Sequence, residues 1–101
     1  MVTQLRIKRV FFDQILCGKK TVEYRSLVPY YKKIFDKNPK IIIFHYQSNA
    51  RLFCYVENIE IVNCVERYKK SEYLYTEQIY AISIKPLLNL NEHGNYFLSV
   101  I

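Results

Sequence analysis

The stretch Lys19, Lys20, Thr21, Glu23 and Arg25 gathers the side chains best suited to chemistry. Two ammonium groups, a hydroxyl, a carboxylate and a guanidinium lie within seven residues. If 21–25 is a strand, alternation puts Thr21, Glu23 and Arg25 on one face and Val22 and Tyr24 on the other. Side chains two residues apart on one face stand about 6–7 Å apart. A lysine at the corner before the strand, the hydroxyl, the carboxylate and the guanidinium can then converge on one site. Arg25 can fork onto a phosphate or a base edge. Glu23 can accept hydrogen bonds from an exocyclic amine, or orient Arg25 or Lys20. The competing structural reading makes Glu23 and Arg25 an exposed pair contributing about 0–1 kcal/mol.

Such convergence needs elements that turn the chain sharply before Thr21. A short strand over 4–8 has Leu5 and Ile7 on one face. A helix over about 10–19 follows, with Phe11, Phe12, Ile15 and Leu16 as an apolar stripe. Gly18 can adopt the left-handed conformation that ends a helix. After the 21–25 strand, Pro29 suits the first turn of a second helix, whose stripe is Tyr30, Tyr31, Ile34 and Phe35. Asn38-Pro39 ends it. The run Ile41-Ile42-Ile43-Phe44 predicts a strand buried on both sides. Gln47-Ser48-Asn49 predicts a hairpin turn into a long strand over 51–62, bulged where the period slips at Glu57-Asn58. Residues 63–78 read as loop. A strand over 79–85 is ended by Pro86, His93-Gly94-Asn95 makes a turn, and 96–101 is a last strand. The order β-α-β-α-β-β-β-β predicts an α+β fold with a curled, mostly antiparallel sheet.

The 101 residues fit one domain over 1–101. Half the residues are apolar, enough for a core without disulfides or metals. The net charge of +6 is uneven. Residues 1–40 hold ten Lys and Arg against three acids, whereas 41–101 hold five against six. A basic half of this kind favours an anionic partner, with nucleic acid the usual one. Ten Tyr offer polar-tipped rings for rims and stacking surfaces. Three cysteines without a C-x-x-C pair, and no opening apolar run, point to reduced thiols in the cytoplasm. No apolar segment approaches the roughly 20 residues of a membrane span, so no membrane partner is expected. Two distant histidines make a metal site unexpected, and no phosphate loop or other cofactor motif is present. His45 reads as a hydrogen-bonded strand residue, and Cys17, at a helix C-terminus, as structural.

Leu5-Arg6-Ile7-Lys8, followed by Phe11-Phe12-Asp13-Gln14-Ile15-Leu16-Cys17-Gly18-Lys19-Lys20-Thr21-Val22-Glu23-Tyr24-Arg25, resembles the opening of an ASCH domain. That family shows a strand, an amphipathic helix, and a Gly-x-Lys-Thr segment entering a strand with an acid and an arginine. The resemblance implies a small PUA-like β-barrel of five to six mostly antiparallel strands, with two short helices near the N-terminus. It also implies a cleft near the first helix, suited to RNA or a modified nucleoside.

Three functions follow from this resemblance. The first is a module binding RNA or other single-stranded nucleic acid, or a modified nucleoside, through Lys19, Lys20, Thr21, Glu23 and Arg25. The second is an enzyme. One branch resembles amidohydrolases that deacetylate N4-acetylcytidine, using the lysine of the Gly-x-Lys-Thr segment, a threonine three residues later and a later glutamate. Lys20 matches the lysine, but Glu23 stands in the threonine's place, and Glu66, Glu72 and Glu77 are candidates for the later glutamate. Lys20 and Glu23 would then be the catalytic pair, either with Lys20 as base or nucleophile, or with Glu23 as general base and Lys20 and Arg25 stabilising an oxyanion. Other members resemble ribonucleases. The third is a protein-binding regulator with a vestigial pocket.

Overall fold

Apolar alternation in the second half of the chain builds the long strands, and the two helical stripes of the first half pack onto them. The computed structural model describes residues 2–47, 50–64, 76–90 and 96–98. The element order is β1 (Val2–Arg6), α1 (Arg9–Leu16), β2 (Val22–Ser26), α2 (Pro29–Phe35), β3 (Ile41–Gln47), β4 (Ala50–Asn63), β5 (Gln78–Leu90) and β6 (Tyr96–Leu98). This is the order read from the sequence. Much of the 63–78 segment, the tip at Ser48 and Asn49, the turn at His93-Gly94-Asn95 and residues 99–101 lie outside the described residues.

The sheet runs β1-β3-β4-β5-β2, with β6 added to β5. The β1–β3 pair is parallel, and the other pairs are antiparallel. The sheet curls into a small α+β, PUA-like barrel. Among the described residues, β1 and β2 stand at the two ends of this path, and α1 joins them in sequence. Leu5, Ile42, Phe44, Leu52, Cys54, Ile82 and Ile84 fill the inside with Phe12 and Ile15 from α1 and Phe35 from α2. A smaller cluster of Cys64 and Ile79, with Tyr24 and Val62 against it, covers the other face of β5.

Bulges bend the sheet. Val56 pairs with Ile84 and Asn58 with Ser83, leaving Glu57 as the extra residue, where the period slipped in sequence. One expectation is overturned. Pro86 does not end β5, which runs on to Leu90. Phe53 pairs with Leu88 and Cys54 with Pro86, so Leu87 is an extra residue beside the proline. The ladder is already irregular there, which is where a strand accommodates the missing N–H. The first helix is also shorter than 10–19, because its backbone turns at Cys17 and Gly18.

Candidate functional site

Gly18 sets the corner. Its φ of +84° lies in the left-handed region, and its N–H reaches the Ile15 carbonyl at 3.1 Å. The turn folds the chain back so that the Lys20 N–H donates to the Gln14 carbonyl at 3.0 Å. Lys20 therefore stands at the end of α1 just before β2 begins. On β2, Glu23 pairs in register with Ile82 and Arg25 with Tyr80, which turns both side chains toward the barrel interior.

There Glu23 is held by two cations. Arg25 donates from Nε at 2.9 Å and from Nη2 at 2.6 Å to the same oxygen, Oε2. The Lys20 Nζ lies 3.3 Å from the other, Oε1. The side chains of Glu23, Arg25 and Lys20 are 7%, 14% and 18% exposed, so the exposed-pair reading is overturned. The reason is position: β2 is an edge strand, but its inner face is roofed by the helices.

Arg25 does more than pair. Its Nη1 donates to the Tyr31 hydroxyl at 2.9 Å, and its Nη2 donates to the Arg6 carbonyl at 3.0 Å. The guanidinium also lies over the Tyr31 ring, 5.4 Å from its centre. These contacts link β2 to α2 and to the end of β1, the opposite edge of the sheet. Burial disfavours the guanidinium charge, but Glu23 and Tyr31 outweigh it and raise the Arg25 pKa. The Lys20 ammonium is flanked by the rings of Phe11 and Tyr24, at 5.4 and 5.5 Å.

The structure thus brings together three of the five candidates, Lys20, Glu23 and Arg25. Lys19 and Thr21 are exposed, and the contacts that join Lys20, Glu23 and Arg25 do not include the Thr21 hydroxyl. The Thr21 carbonyl instead accepts from the Ile84 N–H at 3.0 Å, extending the β2–β5 ladder. Tyr24 is on the opposite face as expected, half-buried in the smaller cluster. Tyr31 and the Arg6 carbonyl are the additions. In sequence, Tyr31 appeared only as part of a helical stripe, and its polar tip was the available signal.

The cluster sets two cationic side chains around one carboxylate. An ammonium that pairs with a carboxylate acts there as a hydrogen-bond donor. Both Glu23 oxygens are engaged by cations, Oε2 by Arg25 and Oε1 by Lys20. Cys54, inside the barrel near Glu23, is pushed up to about 12 by burial and by the Glu23 charge, so its thiol is inert. Cys17 is exposed, and its thiol faces the Gln14 carbonyl at 3.6 Å. Among the described residues no group of His, Cys, Asp and Glu could hold a metal ion. No helix among them is long and apolar enough to cross a membrane. A groove of about 430 Å³ between β1 and α2, lined by Val2, Thr3, Tyr30, Lys33, Ile34 and Lys37, includes none of the five candidates.

Comparison with known proteins gives a consistent answer. Two solved structures of ZmASCH from Zymomonas mobilis share the fold. A serine-to-alanine variant is 20% identical, with a TM-score of 0.58 over 90% of this chain and 74% of that one. A tyrosine-to-phenylalanine variant is 20% identical, with a TM-score of 0.57 over 90% of this chain and 76% of that one. None of the curated proteins matches. The family model of the ASCH domain matches residues 5–93, and the chain therefore belongs to the ASCH domain family, which is generally linked to RNA and nucleic-acid interaction.

Proposed function

We propose that this chain is a single-domain binder of RNA or a modified nucleoside, acting in the cytoplasm, with its cleft at the segment from Gly18 to Arg25. The observation that carries the reading is the Lys20–Glu23–Arg25 cluster at the seam between the two sheet edges. It offers donors from Lys20 and Arg25 and an acceptor in Glu23, all in a half-buried setting where such contacts count for more than in water. Lys19 and Thr21 stand exposed beside it, ready for phosphate oxygens. The basic first half of the chain supplies long-range attraction to an anionic strand. Cys17, Cys54 and Cys64 form no disulfide among the described residues, which suits a reducing compartment.

The test is fluorescence anisotropy of labelled single-stranded RNA across a salt series. Binding should be weak and fall steeply with salt, because neutralised phosphates release counterions. Lys19→Gln with Lys20→Gln should weaken it far more than Lys69→Gln with Lys70→Gln, although both pairs remove the same charge. Equal losses would leave net charge alone as the cause and refute the cleft. A parallel incubation with N4-acetylcytidine should release no cytidine. Release abolished by Lys20→Ala would replace the binding reading with the amidohydrolase one.

A further inference from the structure

The curled sheet has an outer face as well as an inner one, and register settles what stands on it. Leu5, Phe44 and Leu52 align across β1, β3 and β4, and all three are buried inside. The next row, Arg6, His45 and Arg51, therefore faces outward. Two residues along each strand, Gln4, Ile43 and Phe53 form the following row of that face. Val2, Ile41 and Tyr55 form the one after, and Tyr55 pairs onward with the exposed Lys85 of β5. No Asp or Glu stands in these rows.

We propose that this outer face of β1, β3 and β4 is a second binding surface for single-stranded nucleic acid, with bases stacked on Tyr55 and Phe53 and phosphates on Arg6 and Arg51. The inference rests on the reading of the chain as a nucleic-acid binder, and extends the bound strand beyond the cleft. Tyr55 is 44% exposed, so its ring is open to a partner. Phe53 is half-buried two residues away on the same strand face, roughly 6–7 Å along it. Ile43 beside Phe53 is buried, so Tyr55 carries most of the accessible ring surface of this face. Aromatic rings side by side on a sheet face, bordered by cations, are a sequence-tolerant stacking platform. Arg51 gives one contact to the Gln47 carbonyl at 3.3 Å and, among the described residues, keeps the rest of its fork for a phosphate. The charges of Arg51 and Arg6 both reach the imidazole between them, in keeping with a closely spaced basic row. Continuity with the cleft comes from Arg6, whose carbonyl accepts from Arg25 while its side chain belongs to the outer row.

The experiment compares the parent chain with Tyr55→Leu and with Arg6→Gln plus Arg51→Gln, using labelled single-stranded RNA of about twelve nucleotides. Arg6→Gln keeps the carbonyl that Arg25 uses, so the cleft stays intact. Melting midpoints confirm that each variant folds. Tyr55→Leu should weaken binding by about tenfold, with the salt slope unchanged. The double arginine variant should lower the salt slope by about 1.4, the value for two phosphates on a single strand. If both variants bind within about twofold of the parent, with the parent's slope, while Lys19→Gln with Lys20→Gln loses binding, the outer surface is refuted and the cleft survives. If the parent binds no RNA, the nucleic-acid reading itself falls and this inference falls with it.

Discussion

Replacing Glu23 with Gln tests whether the ion cluster holds the barrel together. The carboxylate is 7% exposed and is shared by Arg25 at 2.6 Å and Lys20 at 3.3 Å. Removing its charge leaves two cations near each other and without an anion. Breaking a buried pair from one side costs about 3–5 kcal/mol. Two features reduce that figure here. Gln keeps one acceptor for Arg25, and Lys20 can swing outward along the Phe11 ring into solvent. A loss of about 2–3 kcal/mol follows, against a total of about 5–15 kcal/mol for such a domain. At roughly 4–8 °C per kcal/mol, the melting midpoint should drop by at least about 8 °C. Urea denaturation gives the free energy directly, and an unchanged m-value confirms that the same transition is measured. Arg25→Met should cost at least as much, since it also removes the bonds to Tyr31 and the Arg6 carbonyl. The double variant should lose clearly less than the sum of the singles, because the residues share one interaction. A Glu23→Gln loss below about 0.5 kcal/mol, the scale of an exposed pair, would refute the reasoning. So would strict additivity of the two changes.

His45 gives a pH test with a definite sign. Burial, Arg51 and Arg6 lower its pKa below 6.5, so the unfolded chain takes up the proton first as pH falls. Above 6.5 the imidazole is neutral in both states and contributes nothing; below it, stability is lost until the folded form also titrates. Urea midpoints should therefore fall more between about pH 7 and pH 5 in the parent than in His45→Asn, and parallel curves would contradict the assignment. Gly18→Ala tests the corner. An added Cβ meets nothing within 4 Å, but φ is +84°, so only backbone strain opposes it. The expected loss is about 1–2 kcal/mol, less for Gly18→Asn, and a loss above about 3 kcal/mol would point to contacts the corner does not have.

What could be read from the sequence was local. Gly18 at its turn, Pro29 opening α2 and the bulge at Glu57 each follow from the residue and its immediate neighbours. Pro86 was misread for the same reason. Locally it is a strand breaker, and only the pairing with β4 places an extra residue, Leu87, beside it. The parallel pairing of β1 with β3 was not legible, since alternation describes a strand's faces but names no partner.

The site divides along the same line. Glu23 and Arg25 were found because they sit two apart on one strand, a relation fixed by the pleat. Lys20 followed because Gly18 ends the helix just before it. Tyr31 and the Arg6 carbonyl were not found, because six and nineteen residues separate them from Arg25 and only the curl of the sheet brings them near. Their arrangement explains why a charged cluster tolerates burial here. Among the described residues, β1 and β2 each pair on one side only, so the barrel has a seam. A seam leaves backbone acceptors that a neighbouring strand would otherwise satisfy. Arg25 supplies a donor to one of them, the Arg6 carbonyl, and Glu23 offsets the charge that comes with it. The groups that bridge the seam are therefore the ones that border the proposed cleft. A ligand oxygen competing with Glu23 for Arg25 would act on the same guanidinium that holds β1 to β2, so occupancy of the cleft and closure of the barrel are linked through Arg25.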